Sequence, residues 1–365
     1  MEFHGLRVAS KVFETADSAS FLLEIPENLK DVYKHKSGQY LTLKLEVNGE
    51  ELRRAYSIFT APFEDRFGFT VKRLKGGKVS NFLIDHVNEG DSLEVMEPEG
   101  KFILDATHNL QRDHYFISGG SGITPIMAMI RTVLEEEPLS KAYLLYCNRN
   151  EDAIIFEKAL ESLEEKYKGQ LVVLHNLSQP KKQKAGGIKG LLGKKSTSWT
   201  GWKGRLDAGK LQRFFDEHPT ITKDDHYYLC GPGGLIEMTE DFLTTRGIPE
   251  DRIHKEYFTT SDLEPKAKAS GDTTECVALV TLNDEEFEVV IPKDKTVLEA
   301  ILDSGKDAPY SCTSGACSTC VAKVTEGEVE MDACFALDDE EIKQGYVLTC
   351  QSRAKTSKLK VIFES

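Results

Sequence analysis

Three cysteines fall within nine positions, Cys312, Cys317 and Cys320 in YSCTSGACSTC, and a fourth, Cys350, follows in GYVLTCQS. Thiols crowded into so short a segment are not ordinary core residues; they converge on a shared centre. Ser314, Gly315 and Ala316 are small, which lets backbone approach that centre and turn amides toward sulfur. Structural zinc asks for two close cysteine pairs, and Cys350 has no near partner. A disulfide would not need the small-residue loop. The remaining answer is an inorganic iron–sulfur core. Cys334 competes as fourth ligand, and Cys350, at the end of the apolar run GYVLTC, is preferred.

The spacing Cys-x4-Cys-x2-Cys with a distant fourth cysteine resembles that of plant-type [2Fe–2S] ferredoxins. The flanks agree. CVALVTL and EFEVVIP read as strands joined by Asn283-Asp284, a hairpin-type turn. TVLEAILDSG reads as a short helix that begins near Thr296 and stops at Gly305. A β-grasp ferredoxin domain is expected over 273–365.

Such a cluster passes single electrons and needs a donor elsewhere in the 365 residues. HYFISGGSGITPIMAMIRTVLEEE places a strand before Gly119, Gly120 and Gly122, and a helix near Thr124 with Pro125 as its first residue. Amides at such a helix start bind pyrophosphate, although any tight strand-to-helix turn uses glycine. KAYLLYCNRN, LVVLHNLS and HYYLCGPGGLIEM add strands ending near Arg149, Ser178 and Cys230, mostly separated by helical patterns. A parallel α/β nucleotide domain is expected over 111–262. Ligands on such sheets bind at the carboxyl ends of strands. Arg149 suits a 2′-phosphate, which favours NADPH over NADH, and equally suits plain solvent exposure.

Residues 1–110 read as a small antiparallel β-barrel, with a hairpin at Asn48-Gly49 in GQYLTLKLEVNGEELRRAYSIFT. RAYS offers Arg54 to a phosphate, Tyr56 as a flat face beside a ring, and Ser57 as a hydroxyl partner for flavin N5. GGKVSNFL sets Gly76 and Gly77 before Ser80 at a helix start, again suited to pyrophosphate. Ordinary barrel packing and an ordinary turn are the competing readings.

Taken in order, RAYS, GGKVSNFL, GGSGITP, CNR, CGP and KEYF resemble the ferredoxin–NADP reductase superfamily. With the ferredoxin domain, the chain is similar to reductase components of multicomponent oxygenases. The resemblance implies FAD on Arg54, Tyr56, Ser57 and the loop Gly76, Gly77, Lys78, Val79 and Ser80. It implies nicotinamide nucleotide on Gly120 to Pro125, Arg149, Ser178, Arg205, Cys230, Gly231 and Pro232. Thr124 is expected near the flavin ring and Cys230 near the nicotinamide. Glu256 and Phe258 match the segment that closes on the flavin. Ser57, Cys230 and Glu256 are therefore the candidate catalytic residues. NADPH, FAD and the cluster would form one chain of carriers to an oxygenase or another one-electron acceptor; a desaturase, hydroxylase or cytochrome is the alternative. A redox-responsive binding protein without turnover is the non-enzyme alternative.

Net charge is −14, which argues against nucleic acid as partner. No apolar run reaches membrane-spanning length, and MEFHGLRVASKVFE lacks the marks of a signal peptide, so a cytoplasmic location is expected. Residues 179–204 depart from the expected pattern, with seven lysines, no acid and both tryptophans. This stretch reads as a flap over the nucleotide, a dock for an acidic partner or coenzyme A phosphates, or a solvated insertion. It makes Arg205 a less secure ligand. Residues 263–272 read as a linker that lets the ferredoxin domain swing.

Overall fold

The computed structural model describes residues 2–184, 195–259 and 275–364. The expected linker at 263–272 and positions 185–194 of the lysine-rich stretch lie outside them.

Six strands build the first domain: β1 (Phe3–Thr15), β2 (Ser18–Glu24), β3 (Tyr40–Val47), β4 (Glu50–Ser57), β5 (Phe67–Lys72) and β6 (Ser92–Met96). They are antiparallel in the order β4-β3-β6-β1-β2-β5, and the bridge Ile58↔Phe69 brings β4 back to β5. The sheet closes into the expected barrel around Leu6, Phe21, Leu41, Leu43 and Phe69. Asn48 and Gly49 both take positive φ, 55° and 79°, as a tight hairpin turn demands. Helix α1 (Lys78–His86) caps the barrel between β5 and β6. Strands β1 and β2 were not expected from the pattern, because their polar residues interrupt the apolar alternation.

The second domain is a parallel sheet in the order β12-β9-β8-β7-β13-β14. Its strands are β7 (Asp113–Gly119), β8 (Lys141–Asn148), β9 (Leu171–Leu177), β12 (Trp202–Lys203), β13 (Asp225–Pro232) and β14 (Ile253–Thr259). A short antiparallel pair, β10 (Gln183–Lys184) and β11 (Lys195–Ser196), flanks the positions not described. Helices α2 (Ile123–Glu136), α3 (Glu157–Lys166), α4 (Ala208–Glu217) and α5 (Gly233–Thr245) cover the faces. Pro125 is the third residue of α2 rather than the first. It is still tolerated, because first-turn amides lack intrahelical partners.

The third domain holds β15 (Cys276–Leu282), β16 (Glu285–Ile291), α6 (Val297–Asp303), β17 (Val321–Glu326), β18 (Val329–Met331), α7 (Asp339–Lys343), β19 (Tyr346–Leu348), β20 (Ser352–Ala354) and β21 (Lys358–Ile362). Its five-stranded mixed sheet runs β16-β15-β21-β17-β19, with β15 and β21 parallel. Thr296 caps α6 in a reciprocal box with Glu299, and Gly305 at φ +80° ends that turn of chain.

The barrel and the third domain are in contact. Arg53, 5% exposed, lies between the rings of Phe3 and Tyr310 and pairs with Asp307 at 2.7 Å. Lys101 of the barrel pairs with Glu341, and from the second domain Tyr257 packs on Phe335 with ring centres 5.0 Å apart. A desolvated arginine between aromatic faces is a demanding contact, because removing Asp307 takes a partner from a buried guanidinium.

Candidate functional site

Cys312, Cys317 and Cys320 lie in the loop between α6 and β17, and Cys350 in the turn after β19. Amide hydrogens point at sulfur: Ser314 N and Cys317 N donate to Cys312 Sγ at 3.4 and 3.3 Å, and Cys312 N donates to Cys317 Sγ at 3.5 Å. Gly315 sits at φ +76°, where an added Cβ would lie 2.9 Å from the Ala333 carbonyl oxygen. Thr349 ties the Cys350 turn to Cys320 through its amide and hydroxyl, both donating to the Cys320 carbonyl at 3.1 and 2.9 Å. Hydrogen bonds from Cys317 and Cys350 hold the Cys312 thiol well below its usual range, and Cys350 likewise lowers Cys320. The same contacts push Cys317 and Cys350 up, so the four thiols lie close enough to act on one another. No group of three or more such side chains among the described residues is arranged to hold a metal ion as it stands. The fit to a two-iron core rests instead on the thiol contacts, the inward amides and the glycine. Cys334 lines a cavity beside this loop.

The barrel presents Arg54, Tyr56 and Ser57 near the end of β4. Tyr56 tilts onto Phe69 at 5.6 Å, so its ring is part of the barrel wall as well as a face for a ligand. Ser57 Oγ donates to Glu256 Oε2 at 3.4 Å, joining β4 to β14 across the domain boundary. Burial pushes the Glu256 carboxyl up to about 8, so it keeps a proton at neutral pH. Gly77 is the N-cap of α1 with no side-chain cap, and no acidic residue occupies the first turn, so the amides of Lys78, Val79 and Ser80 stay free for an anion. Gly76 has φ +75° and open space where a Cβ would be. Ser80 Oγ accepts from Leu74 N and braces the loop, while the Lys78 ammonium turns away to Glu50.

The glycine turn after β7 meets the end of β13. An added Cβ on Gly122 would lie 2.2 Å from the Cys230 carbonyl oxygen, and one on Gly231 would lie 2.9 Å from Gly119 N. These glycines are steric requirements of the crossing itself. Pro232 lies against Gly119, and Thr124 Oγ1 donates to the Ser121 carbonyl at 2.9 Å. Cys230 is fully buried, in the same core against which Phe258 packs. Ser118 Oγ and both amide atoms of Asn148 are buried without partners, which fits a polar ligand at this end of the sheet. Arg149 is exposed and donates to Gln179 Oε1 at 3.1 Å; Ser178 is held by the Asn148 carbonyl, and Arg205 is exposed.

Sequence reading missed Lys72. It ends β5 with its Nζ 3.3 Å from where a Gly120 Cβ would sit, at φ +57°. Among the described residues it forms no ion pair, and burial lowers its pKa against an opposing pull from Asp17. A cation ending a barrel strand at the glycine turn of another domain had no local signal beyond VKR. A cavity of about 1290 Å³ opens between the domains; Tyr40, Phe102, Glu256, Tyr257 and Cys317 are among its lining residues. Glu256, the hydrogen-bond partner of Ser57, thus lines the same cavity as Cys317 of the cysteine loop.

Three family models match in sequence order. They are an oxidoreductase FAD-binding domain over residues 5–103, an oxidoreductase NAD-binding domain over 116–241 and a 2Fe-2S iron-sulfur cluster binding domain over 280–355. The chain belongs to the family of FAD, NAD and [2Fe–2S] electron-transfer reductases that serve oxygenases. It is 34% identical over 364 residues to a component of the 1,2-phenylacetyl-CoA epoxidase of Escherichia coli strain K12, covering 100% of this chain and 98% of that one. It is 32% identical to the ferredoxin reductase component of 3-ketosteroid-9-alpha-monooxygenase of Rhodococcus rhodochrous, over 98% of this chain and 96% of that one. Among solved structures, phthalate dioxygenase reductase, described as modular for electron transfer from pyridine nucleotides to [2Fe–2S], matches with a TM-score of 0.58. The match has 26% identity and covers 99% of this chain and 98% of that one. No helix among the described residues is long and apolar enough to cross a membrane.

Proposed function

We propose that this oxidoreductase draws electrons from NADPH and passes them through FAD and a [2Fe–2S] cluster to an oxygenase of aromatic acyl-CoA breakdown in the cytoplasm, with phenylacetyl-CoA as the favoured substrate. The observation that carries the reading is the shared cavity, with Glu256, the hydrogen-bond partner of Ser57, at one side and Cys317 at another. When bound, FAD supplies the conversion of a two-electron hydride into single electrons, and the cluster supplies a one-electron store.

The chain's own residues do the rest. The first domain, 1–110, orients the flavin through Arg54, Tyr56, Ser57 and the free amides from Lys78 to Ser80. Ser57 would present its hydroxyl to the flavin's reacting nitrogen, and Glu256, its hydrogen-bond partner, would hold a proton beside it. The second domain, 111–262, seats the nucleotide on the turn Gly119 to Pro125, with Ser178 and Cys230 to Pro232 around it. Lys72 reaches from the barrel to the same turn and suits its phosphates. Arg149 and Arg205 are exposed at the sheet end, where a 2′-phosphate can meet a guanidinium, and they favour NADPH. Cys312, Cys317, Cys320 and Cys350 ligate the iron, and residues 263–272 link the third domain, 273–365.

The test is direct. The purified chain is expected to show flavin and iron–sulfur absorption and to oxidise NADPH with a higher kcat/KM than NADH. Reconstitution with a phenylacetyl-CoA oxygenase component is expected to support turnover. Preference for NADH removes the cofactor assignment, and coupling only to a desaturase or cytochrome removes the substrate assignment.

A further inference from the structure

Thr319 lies between two of the cluster cysteines and is 9% exposed. Two barrel residues converge on its hydroxyl, Tyr40 OH at 2.9 Å and Glu99 Oε2 at 3.1 Å. Cys317 Sγ lies 3.6 Å from the same oxygen. Thr319 has one proton and gives it to the Glu99 carboxylate, so Tyr40 must be the donor in their pair. Tyr40 itself is 4% exposed, and burial keeps its phenol neutral. On the barrel side, Tyr40 pairs with Ser57 across β3 and β4. Ser57 is the hydroxyl that faces Glu256. One cross-strand pair and one hydrogen bond therefore join the flavin pocket to the cluster loop, all within buried structure.

We propose that Tyr40 and Thr319 are positioning residues that dock the cluster loop on the barrel and carry the electronic contact between flavin pocket and Cys317. The inference rests on the functional reading above. In the step concerned, the flavin site loses one electron and the cluster gains it; Tyr40 and Thr319 keep their protons and no bond is made or broken. The two residues have separable duties. Tyr40 does not touch sulfur and serves contact alone. Thr319 touches both: its oxygen accepts from the Cys317 thiol at 3.6 Å, so removing the hydroxyl changes the surroundings of that sulfur. Arg53 with Asp307 and Tyr310 clamps the same two domains from another side, so losing one hydroxyl leaves the domains associated.

The experiment uses the full chain with flavin and iron content measured for each variant. Anaerobic mixing with reduced nicotinamide nucleotide separates flavin reduction from cluster reduction. Tyr40→Phe and Thr319→Val are expected to leave flavin reduction unchanged and to slow cluster reduction about tenfold, the scale of one buried hydrogen bond. The cluster's midpoint potential, followed by EPR, is expected to shift in Thr319→Val and to stay in place in Tyr40→Phe. Thr319→Ser restores both quantities. Cluster reduction within about twofold of the parent in both variants, or failure of Thr319→Ser to restore it, overturns the proposal. A parent chain with no flavin or no cluster spectrum overturns the functional reading beneath it.

Discussion

The cysteine loop gathers its sulfurs and the amides that face them from one segment, Cys312 to Cys350. The pocket around Ser57 and Glu256 needs strands from two domains, and the sheet end beside it leaves Ser118 and Asn148 without partners. One site takes all of its thiols and the amides that face them from a single domain. The other keeps buried polar groups and an unpaired ammonium in readiness for ligand. Metal binding is therefore a local event within one domain, whereas nucleotide binding reports on how two domains are set against each other.

The sharpest way to break this contrast is to remove one thiol. Cys350→Ser is expected to lose the iron and all cluster EPR signal while flavin content stays at the parent level. Cys334→Ser is expected to keep both. Iron retained in Cys350→Ser and lost in Cys334→Ser would reverse the ligand choice.

A smaller effect is expected on the two-domain side. Lys72→Met removes the unpaired cation at Gly120, so KM for the nucleotide is expected to rise about tenfold with kcat nearly unchanged, the pattern of lost uniform binding. A variant with the parent KM would mean that Lys72 faces something other than phosphate.

Glu256 gives a pH test. Its carboxyl is raised from 4.5 to about 8 in the fold, so the folded chain holds this proton more tightly than the unfolded one. The stability it contributes is fully present below pH 4.5 and is lost as pH rises toward 8. Glu256→Gln is neutral throughout, and its Tm is expected to decline less across that window than the parent's. Parallel Tm curves would place Glu256 in open water.

The smallest effect belongs to the self-contained side. Thr296→Ala removes the cap of α6 and is expected to cost about 1 kcal/mol of ferredoxin-domain stability. Thermal unfolding measures it, and nucleotide KM is expected to stay unchanged. A shifted KM would show that the third domain's stability reaches the two-domain pocket.

Much of the fold was legible because turns and caps are local chemistry. Asn48-Gly49 and Asn283-Asp284 adopt the positive φ pairs their residue types announce, and Thr296 caps the helix it precedes. Strands β1 and β2 escaped because a barrel strand with one solvated face and bulges loses its clean alternation; β1 shifts register twice against β2. At the site, the residues carried by motifs were singled out as candidates: the cysteines, RAYS, the two glycine loops and KEYF. Lys72, Tyr40, Glu99 and Thr319 were not, since each matters only through a partner in another domain or across a junction.

The order of thiols, small residues and turn formers was enough, unaided, to specify an iron–sulfur loop, a closed barrel and a parallel nucleotide sheet. Spacing along the chain dictates local geometry, and local geometry dictates which backbone groups point inward. What only the packed molecule decided was that Ser57 meets Glu256, that Lys72 meets Gly120, and that Tyr40 meets Thr319. Those contacts join segments far apart in sequence, and only the shared burial of three domains brings them together.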